Sequence, residues 1–144
     1  MKEKVLISGS EGFIGSYIVK ELLNLGYEVV GIDNLSKYGE IPRNHSDDPN
    51  YKLIVGDIKD PELLYENLKD CEYFIAGAAM IGGISYFHEF AYDLLSENEK
   101  IIANSTDVAI RCHLEEKLKR VVFLSSSMVF ESTDIYPTTE ESIT

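Results

Sequence analysis

Short apolar runs and longer stretches of helical periodicity alternate along the chain. The runs Lys4–Ser8, Tyr27–Ile32, Tyr51–Val55, Glu72–Ala76 and Arg120–Leu124 have strand length and are largely apolar on both faces, as in a buried parallel sheet. Helical spacing predicts a helix over Phe13–Leu25, with Ile14, Ile18, Leu22 and Leu25 as its core stripe and Gly26 as its C-terminal cap. A second helix is expected over Pro61–Lys69, with proline near its start. The longest helical region is Ile84–His113, with a break expected near Ser96. Its opening aromatics Tyr86, Phe87, Phe90 and Tyr92 read mainly as core. Residues 34–50 are polar and carry Gly39, Pro42, Asp47-Asp48 and Pro49, so they read as a long loop with His45 on its surface. The alternation predicts an α/β fold, a doubly wound (Rossmann-like) parallel sheet of about five strands with flanking helices.

The junction of the first strand and first helix carries the chemistry. Val5-Leu6-Ile7-Ser8 runs into Gly9-Ser10-Glu11-Gly12-Phe13-Ile14-Gly15, three glycines spaced three apart. Glycine lets the backbone turn sharply and approach a ligand closely. The first-turn N–H groups of a helix lack internal acceptors and hold anions, so a dinucleotide diphosphate is expected on this turn. The absence of Gly-Lys-Ser/Thr argues against a nucleoside-triphosphate loop.

Asp33 ends the second strand, eighteen residues after Gly15, close to the spacing at which an acid meets adenosine ribose hydroxyls. A carboxylate there repels a 2′-phosphate, which favours NAD over NADP; the plainer alternative is a solvated strand-end acid. Ser36 and Lys37 stand within reach of the same ribose. Asp57, after the third strand, suits the adenine amino group, with Ile58 packed on the ring; a helix cap ahead of Pro61 is the other reading. The small residues of Gly77–Gly83 suit either close approach of a flat ligand or helix-on-sheet packing. Ser125-Ser126-Ser127 ends the fifth strand, where a hydroxyl can donate to a substrate oxygen or cap a turn.

Composition narrows the class. The chain has 144 residues and a formal net charge of −12, which argues against nucleic-acid and anionic membrane partners. Its cofactor must then be held by local dipoles. Cys71 and Cys112 form no metal or disulfide pattern, and no metal site is expected. The first apolar run follows Met1–Lys4 directly, unlike a secretory leader, so the expected location is the cytoplasm.

These motifs together resemble the N-terminal half of the extended short-chain dehydrogenase/reductases, the NAD-dependent sugar-nucleotide epimerases and dehydratases. The resemblance rests on Gly9-Ser10-Glu11-Gly12-Phe13-Ile14-Gly15, Asp33-Asn34-Leu35-Ser36, Gly56-Asp57-Ile58, Ala78-Ala79 and Ser125-Ser126-Ser127-Met128-Val129-Phe130. It implies NAD as cofactor, contacts from Phe13, Ile14, Asn34, Ala78, Ala79 and Ser125, and a nucleotide-sugar substrate. Counted back from Val129, Ser126 takes the place of the family's catalytic Ser/Thr, which positions the reacting oxygen. Family chemistry is hydride transfer at a sugar carbon, with a Tyr base assisted by a Lys four residues later. Here the only tyrosine after Ser126 is Tyr136, and Glu140 stands four beyond it. Tyr65 and Lys69 fit the spacing by letters but precede the serine strand. Ile102 stands where the family often has an ordering Asn; Asn98 and Asn104 are nearby candidates. The expectation is a cofactor-binding domain over 1–144, without the Tyr-x-x-x-Lys segment or substrate domain and inactive alone. A non-catalytic NAD(H)-binding regulatory module is the alternative, and homodimerisation accords with the family.

Overall fold

A computed structural model of the protein describes residues 2–115, 117–126, 130 and 135–142. Its strands are β1 (Lys4–Ser8), β2 (Glu28–Asp33), β3 (Tyr51–Val55), β4 (Tyr73–Ala76) and β5 (Arg120–Phe123). Its helices are α1 (Phe13–Asn24), α2 (Pro61–Leu68), α3 (Ile84–Glu89) and α4 (Ala91–Glu115). The strands form one parallel sheet in the order β3-β2-β1-β4-β5. The fold is thus the expected Rossmann-like one, with β1 at its centre.

Strand periodicity sends neighbouring apolar residues to opposite faces. Leu6 pairs in register with Val30 and Phe74, and this face packs on Leu64 and Leu68 of α2 and Val108, Ala109 and Cys112 of α4. Ile7 faces the other way, with Val29 against Val19 of α1. Asp60 caps α2, its carboxylate accepting from the Glu62 and Leu63 N–H groups at 3.0 and 3.1 Å.

Several sequence expectations need correction. The buried stripe of α1 centres on Gly15 and Val19, flanked by half-buried Ile18 and Leu22, while Ile14 is 59% and Leu25 67% exposed. Gly15 docks on the turn below it, and this rotates Ile14 towards the sheet's carboxyl edge. The break in the long helical region falls at Phe90, where φ is −125° and ψ 35°, and α4 runs unbroken through Ser96. One serine costs a helix only a few tenths of a kcal/mol, and the Glu97–Lys100 pair spans the next turn. The proline- and glycine-bearing 34–50 segment between β2 and β3 is a loop of turns, as its composition predicts. His45 is no surface residue: it is 4% exposed. Tyr92, by contrast, is 80% exposed rather than core.

Phe74 is buried at the centre of the larger core. Phe74→Ala should cost about 3–5 kcal/mol through lost burial and an unfilled cavity. Denaturant unfolding checks this; a loss below about 1 kcal/mol would contradict the placement of the core.

Candidate functional site

The β1–α1 turn is built from the glycines upward. Gly9 has φ of +74°, a conformation that strains any residue with a Cβ, and its N–H donates to Ile32 O at 2.8 Å. Gly12 N–H closes back onto Gly9 O at 3.1 Å. A Cβ on Gly15 would lie 1.9 Å from Gly9 O, so a side chain there would push α1 off the turn. Gly12 is the N-cap of α1 and provides no side-chain cap. The first bond of the helix ladder is Ser16 N–H to Gly12 O at 3.0 Å, so the amides of Phe13, Ile14 and Gly15 precede it.

Those three residues line a cleft of about 500 Å³ at the carboxyl edge of the sheet. It opens beside β1, between β2 on one side and β4 on the other, where the strand order reverses. Gly9, Gly12, Phe13, Ile14, Gly15, Asp33, Asn34, Ser36, Lys37, Asp57, Ile58, Ala78 and Ala79 all line this one cleft. Ser125 and Ser126 do not; they follow β5 as exposed residues, just beyond Leu124, which does. Ser127, Met128 and Val129 of the serine motif lie outside the described residues.

Asp33 is held rigidly. Its carboxylate accepts from Glu11 N–H at 2.9 Å and Leu35 N–H at 2.8 Å. A carboxylate offers about four acceptor positions, so two remain for a ligand. Asp57 does not cap α2, a task that Asp60 performs. It accepts from Lys59 N–H at 2.9 Å within its own turn. Lys59 Nζ lies 3.5 Å from Asp57 Oδ2 and also pairs with Glu97. Hydrogen bonds from Lys100 and Lys59 hold the Glu97 carboxyl down to about 2, so it is charged throughout the neutral range. Lys37 Nζ reaches across to Ile81 O at 3.2 Å and links the two rims of the cleft.

Sequence reasoning missed several participants. Lys59, Glu97, Tyr38, Met80 and Ile81 also line the cleft. Ser8 Oγ accepts from the Gly77 and Ala78 N–H groups, both at 3.2 Å, and ties the two central strand ends together. Asn98 clamps the loop after β4: Met80 N–H donates to its Oδ1 at 2.8 Å, and its Nδ2 donates to Met80 O at 2.9 Å. Partners 38 residues apart leave no local pattern for Lys59 and Glu97. The sequence marks Asn98 as a candidate ordering residue, but its partner, the Met80 backbone 18 residues away, is not legible there. Asn104 instead donates to Ile58 O. Tyr65 stands outside the cleft, on α2, with the Arg111 guanidinium 3.4 Å from its ring centroid. Among the described residues no group of three or more His, Cys, Asp or Glu is placed to hold a metal ion. Among them, too, no helix is long and apolar enough to cross a membrane.

A tight glycine turn, unpaired helix amides, a strand-end carboxylate and a cleft at the reversal of strand order define a dinucleotide-binding α/β domain. Its lineage is equally clear. Residues 5–144 match the NAD dependent epimerase/dehydratase family, and the chain belongs to that family. It is 34% identical to an uncharacterized protein of Methanocaldococcus jannaschii, over 98% of this chain and 45% of that protein. It is 30% identical to the UDP-glucose 4-epimerase of Bacillus subtilis, over 95% of this chain and 40% of the enzyme. Among solved structures it is similar to a double mutant of the dTDP-glucose 4,6-dehydratase of Streptomyces venezuelae with NAD bound. That likeness has TM-score 0.79 and 28% identity, over 96% of this chain and 44% of the dehydratase. The chain therefore spans less than half the length of these proteins. The family's cofactor is NAD, and the glycine cradle with its amide donors suits a diphosphate.

Asn98→Ala removes both bonds to Met80 at once. Each is worth about 0.5–1.5 kcal/mol net, so exchange of the Met80 amide should quicken about tenfold or more. Hydrogen exchange checks this; unchanged protection would mean that the loop is held by something else.

Proposed function

We propose that this chain binds NAD in the cleft and forms the cofactor-binding portion of a nucleotide-sugar epimerase or dehydratase. One observation carries the reading: the α1 amides and the Asp33 carboxylate converge on the same cleft. The amides of Phe13, Ile14 and Gly15 hold the diphosphate. Asp33 accepts the adenosine ribose hydroxyls with its two remaining acceptor positions and repels a 2′-phosphate, so NAD is preferred over NADP. Asn34, Ser36 and Lys37 border that ribose. Asp57 accepts from the adenine amino group, and Ile58 packs against the ring. Ala78 and Ala79 admit the nicotinamide-side ribose, with Ser125 nearby.

When bound, NAD supplies the hydride acceptor for oxidation at a sugar carbon. Ser126 lies beyond β5 on the same edge of the sheet, and its hydroxyl is assigned to hold the reacting oxygen. The base is the missing part. Tyr136 has Glu140 rather than lysine four residues on, and Tyr65 is covered by Arg111 away from the cleft. This chain by itself should not turn over. The relatives' names give the substrate class, a sugar on a nucleoside diphosphate. Cytoplasmic location accords with the two buried free cysteines. Self-association accords with exposed Leu95, Ile102, Ile110 and Leu114 along α4.

Calorimetric and thermal-shift titration should show NAD binding, and Asp33→Ala should weaken it about 10–100-fold, the worth of a hydrogen bond to a charged group. NADP should bind more weakly than NAD. Epimerisation assays of the chain alone should show no turnover. Robust turnover would overturn the missing-base argument, and absence of NAD binding would overturn the reading itself.

A further inference from the structure

The glycine turn contains a residue that should oppose its task. Glu11 sits between Gly9 and Gly12, in the turn that would receive a diphosphate, on a chain of net charge −12. It does not line the cleft. It is 7% exposed and faces the 34–50 segment, which supplies it with partners. Arg43 Nε lies 3.7 Å from Glu11 Oε2, and Arg43 Nη2 donates to the Glu11 backbone O. His45 Nε2 lies 3.4 Å from Glu11 Oε1, which also accepts from the Tyr51 hydroxyl at 2.6 Å. Burial and this bond push the Tyr51 phenol well above its usual range, so it serves as a donor. With the one phenolic proton on Glu11, the buried Ser10 hydroxyl, 3.1 Å from the Tyr51 oxygen, donates to it.

The same residue touches the ligand side through its backbone. Glu11 N–H donates to Asp33 at 2.9 Å. Arg43, on the outer side of Glu11, also lies 5.9 Å from the ring centroid of Tyr38, which lines the cleft. Arg43 is thus the bridge between the turn's buried carboxylate and the cleft's ribose-side wall. A buried charge stripped of its partner is costly, and here its field would fall on the site of another anion.

We propose that Glu11 and Arg43 are positioning residues for the diphosphate, so that the 34–50 segment sets how tightly the turn holds a dinucleotide. The carboxylate anchors the turn, whose Glu11 N–H in turn holds Asp33; the guanidinium cancels the charge that this anchoring introduces. His45 and Tyr51 supply the remaining polar contacts. This rests on the proposed NAD site and goes beyond it by assigning control of affinity to residues that touch no ligand.

The test is a double-mutant cycle on the whole chain with three probes: NAD, ADP and adenosine. Arg43→Gln should weaken NAD and ADP binding about tenfold, while adenosine, lacking phosphate, changes less than about twofold. Adding Glu11→Gln to Arg43→Gln should restore most of the NAD affinity, because the uncompensated charge is gone. Arg43→Lys keeps the charge and should stay within about threefold of wild type, which also covers the case in which Arg43→Gln does not fold. An equal loss for all three probes, no rescue by Glu11→Gln, or an Arg43→Lys loss as large as that of Arg43→Gln would overturn the proposal. Wild-type protein that binds neither NAD nor ADP would instead overturn the functional reading on which it rests.

Discussion

The N–H groups of Phe13, Ile14 and Gly15 precede the hydrogen-bond ladder of their own helix, and much of the architecture near them serves to aim them at one place. Gly9 must adopt a positive φ for the chain to leave β1 and enter α1. Gly15 must lack a side chain for the helix to close onto the turn. Ser8 holds the loop after β4 against the end of β1, and that places Ala78 opposite the amides. A parallel sheet with β1 at its centre opens a crevice at this point, because the chain leaves β1 towards β2 and later returns on the other side to form β4.

Charge is managed locally. A chain of net charge −12 has no long-range attraction for a dinucleotide, so the helix dipole and a few placed cations must provide it. Lys37 spans the cleft rims, Lys59 is shared between Asp57 and Glu97, and Arg43 pairs with Glu11 below the turn. Each cation faces a specific acid or carbonyl. The acids near the site are therefore tied to partners, and Asp33 is presented by two backbone donors in a fixed orientation.

What the sequence made legible was what depends on neighbours in the chain. The five strands, α1, α2 and the glycine turn follow from apolar runs, glycine spacing and a proline start, and the residues singled out along Gly9–Ala79 converge on one cleft. What depends on tertiary contact was hidden. Burial of His45 comes from Glu11 and Tyr51, which no polar-loop pattern announces. Exposure of Ile14 comes from the docking of Gly15, so helical periodicity alone put the stripe one residue out of phase. A cap on α2 was only the other reading of Asp57, and Asp60, which directly precedes Pro61, has the capping geometry instead. Asn98 was legible as a candidate ordering residue, but its hold on the Met80 backbone was not.

The central claim is that a diphosphate rests on the first-turn amides of α1. Amide chemical shifts followed by NMR during titration with NAD, and separately with ADP, test it most directly. The account predicts that both ligands shift the Phe13, Ile14 and Gly15 amides most, with Asp33 and Leu35 following. Shifts that leave Gly12–Gly15 untouched and gather instead on the exposed face of α4 and β5 would contradict it.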